Sequence, residues 1–181
     1  MEEITWNIID KYFQDNPYNL VAHHLDSFDQ FVEQNIPQIF KENNPIKYLE
    51  KEDSVPDSQE PKQCNLFLGG KNADKIYIGK PIIYDELNGK SYSHFMYPND
   101  ARLRNMNYSF TIHYDIEVEF RYMNNEGEIV TKTQTLDNIF LGRFPIMIQS
   151  KYCILKGLNR EVRYNMGECR NDIGGYFIID G

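Results

Sequence analysis

Several features of membrane and secreted proteins are missing from this 181-residue chain. It has no run of about eighteen apolar residues, so the sequence predicts no membrane-spanning helix. Its three cysteines, Cys64, Cys153 and Cys169, are odd in number and widely spaced, which argues against a disulfide framework or a zinc knuckle and favours free thiols. The opening residues, MEEITWNIID, carry acids where a secretory signal carries bases, and we therefore expect an intracellular protein.

Arginine is absent from residues 1–100, which hold 17 acidic residues against 9 lysines. Residues 101–181 hold 10 acids against 10 bases, and seven of those bases are arginine. The formal net charge of −8 gives the chain no general attraction for polyphosphate, so tight independent binding of nucleic acid is disfavoured. A local strip of arginine and lysine can still contact phosphate if another molecule holds the DNA nearby.

Motifs that hold a nucleophile or a nucleotide are missing as well. The sequence contains no G-x-S-x-G, P-loop, H-E-x-x-H or dinucleotide fingerprint. Gly69 and Gly70 precede Lys71, but their spacing does not match a loop that cradles phosphate. The sequence therefore predicts no self-contained active site.

Helical periodicity is present in residues 1–40. Thr5 is the predicted N-cap of a first helix, and Asn16-Pro17 is its predicted end. A second helix follows, with apolar residues at spacings of three and four. The apolar residues are Ile8, Ile9, Tyr12 and Phe13 in the first helix and Val21, Leu25, Phe28, Phe31 and Val32 in the second.

The opposite face of the second helix carries Asp26, Asp29 and Glu33. Three carboxylates can hold a metal ion, but a solvated helix face is the simpler explanation and the one that we favour. His23 and His24 are adjacent, and neighbouring side chains on a helix point about 100° apart. The pair is therefore poorly placed to bind one ion, and we expect surface or interface residues.

The composition changes after residue 40, and the periodicity changes after residue 63. Residues 41–63 are charged, dotted with proline and poor in apolar side chains, which predicts a linker or long loop. From residue 64 the periodicity changes to two, and residues 64–181 are predicted to be rich in β-structure.

The clearest strand is the segment SFTIHYDIEVEFR, residues 109–121. Apolar side chains from Phe110 to Phe120 alternate with polar ones from Thr111 to Arg121, so one face is predicted to be buried. We expect the polar face, which includes His113, Asp115 and Glu117, to face solvent rather than to catalyse a reaction.

Turn residues predict two antiparallel hairpins, one of which includes this strand. Asn88-Gly89 tolerates the positive φ of a tight hairpin, and Asn124 to Gly127 joins the long strand to the next one. Pro145 is expected at a strand end or edge. Gly174 and Gly175 are expected to form a tight turn before a last strand that includes Tyr176, and all three are predicted to be structural.

These patterns together predict an α+β fold. N-terminal helices occupy residues 1–40, a charged linker or long loop occupies residues 41–63, and a mainly antiparallel sheet occupies residues 64–181.

Three strings carry a resemblance to a known family: YPNDARLRNMNYS (97–109), LGRFPIMIQSKYC (141–153) and ECRNDIGGYFIIDG (168–181). In order and spacing they resemble the N-terminal part of the second-largest subunit of multisubunit DNA-dependent RNA polymerase. WNIIDKYF and LVAHHLDSFDQFVEQNIPQI resemble the opening helices of that subunit, and IYIGKPII resembles the strand after its variable loop. The resemblance covers nearly the whole chain except residues 41–63 and 123–138.

The resemblance implies that the chain is the first portion of the domain called the protrusion. In that family the string GGYFI continues into a turn and a further strand, so we expect an expressed fragment or a subunit that is split between genes. An exposed sheet edge or apolar patch near the C-terminus is the structural expectation. The strings resemble the eukaryotic type of the subunit rather than the bacterial one. The richness in Asn, Ile, Lys and Tyr suggests an AT-rich genome, such as that of a large DNA virus.

The resemblance also implies a role without catalysis by this chain. In the family, nucleotides are joined by two-metal phosphoryl transfer, and the largest subunit binds the Mg²⁺. We therefore expect no catalytic residue, metal site or cofactor here, but a structural wall of the DNA cleft and a docking surface. The expected partners are the remainder of the same subunit, the largest and the smaller polymerase subunits, initiation factors, and template DNA and RNA–DNA hybrid through the complex, with no membrane. The expected location is the nucleus, or the virion or host cytoplasm for a virus.

Four basic residues are candidates for contact with nucleic acid or a partner. Arg102 and Arg104 would share a face if their segment were a strand. Arg143 and Lys151 flank FPIMIQS and are the next candidates. The alternative that we favour is that these bases form ion pairs within the subunit.

Two other classes of function stay open. A stand-alone acidic protein-binding module would need a closed sheet and would be a monomer. An enzyme would need a pocket with perturbed titratable groups, and the cluster of His113, Asp115 and Glu117 lacks a partner that would orient it. Binding of a hydrophobic dye distinguishes a truncated fragment, which exposes an apolar edge, from a complete module.

Overall fold

The computed structural model describes residues 2–49, 62–87, 89–124 and 127–181. The chain forms two compact units, each made of separate stretches of sequence. The first unit comprises Met1–Phe31, Lys80–Phe110 and Phe144–Gly181, and the second comprises Val32–Gly79 and Thr111–Arg143. Helices combined with mainly antiparallel sheets confirm the predicted α+β class. The predicted boundaries at residues 40 and 63 stay a prediction.

The helices lie mostly in the N-terminal quarter of the chain. None of those in the described residues is long and apolar enough to cross a membrane. They are α1 (Glu2–Asp15), α2 (Ala22–Gln30), α3 (Ile36–Asn43), α4 (Pro98–Leu103) and α5 (Arg160–Asn165), with a π-helical turn (Phe31–Asn35) between α2 and α3.

Helix α1 begins earlier than the sequence pattern predicted. It starts at Glu2, so Thr5 lies inside the helix and the prediction of an N-cap at Thr5 is wrong. The predicted end is confirmed, because α1 stops at Asp15 and the Asn16 side chain donates a hydrogen bond to the carbonyl of Tyr12 at 3.0 Å.

Helix α2 corrects the prediction of a solvated acidic face. Asp26 and Glu33 are exposed, but Asp29 is only 8% exposed and accepts a hydrogen bond from the backbone N–H of Lys151 at 3.1 Å. The physical reason is that α2 packs against the segment that contains Tyr152, whose ring lies 6.3 Å from that of Phe28. His23 and His24 are both exposed, as expected.

Seven strands form two sheets in the described part of the chain. The larger sheet has the order β1-β2-β6-β3, and β7 also pairs with β6; the smaller sheet pairs β4 with β5. The strands are β1 (Ile46–Leu49), β2 (Gln63–Leu68), β3 (Ile76–Ile78), β4 (Ile82–Leu87), β5 (Lys90–Phe95), β6 (Ser109–Met123) and β7 (Ile129–Pro145). Residues 50–61 of the predicted linker lie outside the described residues.

Strand β6 is the longest predicted strand, and its existence is confirmed. It pairs antiparallel with β2 along residues 116–121 and with β3 along residues 112–114. Phe110, Ile112 and Val118 are buried as predicted, whereas Phe120 is 40% exposed. The buried end of β6 therefore lies toward its N-terminus.

The polar face of β6 is half-buried, which corrects the prediction that it faces solvent. Neighbouring strands and turns supply partners for its acids. Glu117 pairs with Lys75 at 2.5 Å, and Glu119 pairs with Lys71. Asp115 accepts hydrogen bonds from the Tyr77 hydroxyl at 2.9 Å and the Asn138 backbone N–H at 2.8 Å.

Both predicted hairpins join paired strands. β4 and β5 pair antiparallel with Leu87 opposite Lys90, while Asn88 itself lies outside the described residues. The turn after β6 is closed by Asn124, whose backbone N–H donates to the carbonyl of Glu128 at 2.9 Å; residues 125 and 126 lie outside the described residues. β7 ends at Pro145, as predicted for a residue without an N–H donor.

The C-terminal segment after the glycine pair is not a strand, so that prediction is wrong. Its backbone hydrogen bonds are divided between two neighbouring segments, those of Ile148 and Tyr108, instead of forming a ladder with one strand. The carbonyl of Tyr176 accepts from the N–H of Ile148 at 2.9 Å, whereas the carbonyl of Ile178 accepts from the N–H of Tyr108 at 3.1 Å. Ile178 is buried and Phe177 and Ile179 are exposed, in agreement with the expected apolar patch near the C-terminus.

Gly174 permits this arrangement and supplies the first prediction. Its φ is +76°, and an added Cβ would lie 2.5 Å from the carbonyl oxygen of Ile148. Gly157 has a similar φ of +78°, with nothing within 4 Å of an added Cβ. We expect Gly157→Ala to cost about 1–2 kcal/mol from the left-handed backbone alone, and Gly174→Ala to cost about 3–5 kcal/mol because a steric clash adds to it.

Chemical unfolding of the two variants measures this difference. Equal losses of the free energy of unfolding for Gly157→Ala and Gly174→Ala would show that the close approach to Ile148 carries no cost.

Candidate functional site

The three strings that carry the resemblance pack together in the first unit, apart from residues 141–143, which belong to the second. Tyr108 and Ile146 are fully buried, and the N–H of Ile146 donates to the carbonyl of Tyr108 at 2.8 Å. The Tyr108 hydroxyl accepts the N–H of Ile154 at 3.1 Å and donates to Cys153 Sγ at 3.8 Å. Burial raises the pKa of the Tyr108 hydroxyl, which keeps it in its neutral, donating form. These strings therefore encode a core.

Arg102 joins the first of these strings to the last. Its Nη1 donates to both carboxylate oxygens of Glu168 at 2.9 Å, and its Nη2 donates to the Tyr176 hydroxyl at 2.8 Å. The Glu168 side chain is only 3% exposed, so the carboxylate of this ion pair is buried, whereas the Arg102 side chain is 28% exposed. Burial alone would lower the pKa of Arg102, but the hydrogen bond and charge of Glu168 outweigh it and raise the pKa.

Tyr176 extends this network to Asp172. Its hydroxyl donates to Asp172 Oδ2, and the other carboxylate oxygen of Asp172 accepts the N–H of Gly174 at 2.8 Å. Burial first, and then the bond to Asp172, raise the pKa of Tyr176 to about 12. The two bonds of Asp172 fix the segment that leads into the glycine turn.

Arg104 does not share a strand face with Arg102, because residues 98–103 form helix α4 rather than a strand. Pro98 at the start of α4 and the bond from the Tyr97 N–H to Asp100 favour the helix. Arg104 lies at the C-terminal end, where its Nη1 donates to Asp85 on β4 at 2.7 Å. This partly exposed pair connects α4 to the β4–β5 hairpin, and the guanidinium lowers the pKa of Asp85.

Arg143 and Lys151 lie in different units. Arg143 is exposed near the end of β7 in the second unit, and Lys151 is exposed in the turn after Ile148 in the first. The backbone N–H of Lys151 is the group that binds Asp29. The structure thus gives Arg102 and Arg104 defined carboxylate partners, while contact of any of the four with a partner molecule stays a prediction.

The titratable side chains on β6, those of His113, Asp115 and Glu117, contact neighbouring residues of the fold. The His113 ring lies 5.4 Å from the ring of Phe140, and Asp115 and Glu117 bind their neighbours as described above. Across the described ranges, no three His, Cys, Asp or Glu side chains are grouped so as to hold a metal ion.

Sequence reasoning missed the acidic partners of the candidate arginines. Glu168 and Asp172 lie 66 and 70 positions after Arg102, so no local spacing connects them. The available signal was the string ECRND, whose acids precede a glycine pair in a segment that was already expected to be structural.

Comparison with known proteins agrees with the resemblance found in the sequence. The family model described as RNA polymerase beta subunit matches residues 19–181. The chain is 34% identical over 184 residues to DNA-directed RNA polymerase II subunit 2 of Arabidopsis thaliana, covering 99% of this chain and 15% of that protein. It is 31% identical over 181 residues to DNA-directed RNA polymerase subunit Rpo2N of Methanothermobacter thermautotrophicus, strain Delta H, covering 100% of this chain and 29% of that protein. The chain thus spans less than a third of the length of these relatives.

The buried pair predicts unequal effects for the two arginines of α4. Arg102→Ala leaves the Glu168 carboxylate buried without its partner, and we expect a loss of about 2–3 kcal/mol in the free energy of unfolding. Arg104→Ala breaks a solvent-accessible pair and should lower the stability far less. Denaturant unfolding at neutral pH measures both, and an equal loss for the two variants would contradict the buried character of the Glu168 pair.

The raised pKa of Tyr176 predicts a dependence of stability on pH. An unfolded tyrosine titrates near pH 10, so the folded chain holds this proton more tightly and its contribution is fully present below pH 10. The contribution falls as the pH rises from about 10 towards the folded pKa of about 12. The difference in unfolding free energy between wild type and Tyr176→Phe should therefore shrink across this range; a constant difference would contradict the shift.

Proposed function

Because the chain belongs to the RNA polymerase beta subunit family and corresponds to the N-terminal part of the second-largest subunit, we propose that it serves transcription as a structural part of a DNA-directed RNA polymerase. Its fold is the first portion of the protrusion domain, which forms one wall of the DNA cleft and a docking surface for initiation factors. Nucleotide addition and its Mg²⁺ belong to the assembled enzyme and to the largest subunit.

One observation carries the structural role. The strings that most resemble the family bury their apolar residues together, and Arg102 and Glu168 join the ends of that core. Residues with this degree of packing determine a shape, whereas residues that act on a substrate must be accessible to it. The net charge of −8 supports the same role, since a wall of this charge has to rely on other subunits to attract DNA.

The proposed partners follow from this role. They are the remainder of the same subunit, the largest and smaller polymerase subunits, and, through the complex, template DNA and the RNA–DNA hybrid. Arg143 and Lys151 are exposed and are the proposed points of contact with nucleic acid or a partner. Arg102 and Arg104 contribute mainly through their carboxylate partners.

The proposed location is the compartment in which the enzyme transcribes. For a cellular polymerase this is the nucleus. If the source is a large DNA virus, as the composition suggests, it is the virion or the host cytoplasm.

Affinity purification of the tagged native protein from its source tests this proposal. We expect the largest polymerase subunit to co-purify and the preparation to synthesise RNA in a Mg²⁺-dependent reaction. The 181-residue chain alone should synthesise none. Recovery of the protein without any polymerase subunit, or RNA synthesis by the chain alone, would overturn the proposal.

The same preparation tests the contact residues. Arg143→Ala and Lys151→Ala should weaken the binding of DNA or of a partner, and Arg143→Ala should do so while the melting temperature of the chain stays unchanged. A loss of stability without a loss of binding would show that these residues act within the fold.

A further inference from the structure

Arg163 is a buried guanidinium for which no carboxylate partner is found among the described residues. It is 6% exposed and lies on α5. Its Nη1 donates to the carbonyl oxygen of Asp172 at 3.2 Å. Its Nε is buried and has no hydrogen-bond partner in the described part of the chain. The hydrogen-bond acceptor of this guanidinium among the described residues is thus a neutral carbonyl.

Such an arrangement is costly for a protein. A buried charge needs an opposite charge and filled hydrogen-bonding positions to offset the loss of water, and an unpaired buried donor calls for a specific explanation. Replacement of a buried ionic group by an apolar one of similar volume is often neutral or stabilising. An arginine at this position is therefore expected to serve something other than the stability of the unliganded chain.

A cavity adjoins this side chain within the first unit. Its volume is about 320 Å³, and Arg163 lines it together with Arg160 and Arg170. Tyr18 and Leu158 are among the residues that form its apolar wall. This volume lies at the lower end of the range of small-molecule sites, which are mostly apolar with a few converging polar groups.

The charges that face the cavity are unequal. Three of the lining residues are arginines, and Asp172 is the one acidic residue among them. Asp172 already accepts bonds from the Gly174 N–H and the Tyr176 hydroxyl. Arg170 pairs with Glu161 at 3.1 Å and lies over the ring of Tyr164, and both members of that ion pair are exposed. Arg160 and Arg163, which have no carboxylate partner among the described residues, therefore provide most of the unmatched positive charge.

We propose that this cavity binds one oxyanion, a phosphate or carboxylate group carried by a small apolar or aromatic ligand. The planar guanidinium presents donors in a fork that matches the oxygens of either group. The apolar wall at Tyr18 and Leu158 accommodates the body of the ligand. A long polyanion is not the ligand, because the net charge of −8 repels it. The proposal does not depend on the role of the chain in transcription.

Titration of the full chain with three probes tests the site. Phenyl phosphate, benzoate and inorganic phosphate are added at constant ionic strength, with chloride as the reference, and binding is followed by calorimetry and by the melting temperature. Saturable one-to-one binding that raises the melting temperature is expected for at least one aromatic probe. Tighter binding of phenyl phosphate assigns a phosphate ligand, and tighter binding of benzoate assigns a carboxylate ligand.

Arg163→Met separates a binding role from a structural one. We expect this variant to melt at the same or a higher temperature in chloride, because an unpaired buried charge is removed. It should bind the preferred probe roughly tenfold or more weakly, since a charge-assisted hydrogen bond is lost. Arg160→Gln on the rim should weaken binding several-fold without changing the fold, and Arg121→Gln, an exposed arginine on β6, serves as the matched control with unchanged binding.

Two results would overturn the proposal. The first is a lack of saturable binding for all three probes, which would mean that water alone fills the cavity. The second is unchanged affinity in Arg163→Met, or in Arg160→Gln if Arg163→Met does not fold.

Discussion

The first unit depends on the burial of one carboxylate, that of Glu168. A carboxylate that is removed from water must be bonded and balanced in charge, and Arg102 does both from a position 66 residues earlier. The backbone N–H of Glu168 also donates to the carbonyl of Arg163, so the same residue closes the end of α5. Because α4, α5 and the segment of Tyr176 all meet at this group, their positions are not independent.

The regular elements of this fold were predictable where side-chain periodicity and turn residues agreed. The alternation from Phe110 to Phe120 predicted β6, and Pro145 predicted the end of β7. The start of α1 was missed because charged residues near a helix end and an N-cap such as Thr5 are competing signals. The predicted last strand failed because its backbone groups have two neighbours, and only the tertiary structure decides how such bonds are shared.

Ion pairs for two of the candidate arginines were predictable from the sequence, but their partners were not. The sequence pointed to Arg102 and Arg104 and favoured ion pairs for them, but it assigned them to a strand and named no partner. Burial reversed the prediction for Asp29 as well, because an acid on a helix is solvated only if nothing packs over it. Long-range pairing and burial depend on how the chain packs, so they cannot be predicted from the periodicity of one segment.

The interleaving of the two units has a consequence for the order in which the chain folds during synthesis. All residues of the second unit have been made once Arg143 is joined to the chain, whereas the first unit needs residues from both ends of the described sequence. Its core is complete only once Glu168 and the glycine turn have been made, because Glu168 pairs with Arg102 and the N–H of Gly175 donates to the carbonyl of Ile148. The N-terminal helices therefore emerge from the ribosome well before their packing partners. Because Phe28 on α2 lacks its partner Phe177 during that interval, the nascent chain exposes apolar surface that a chaperone can bind.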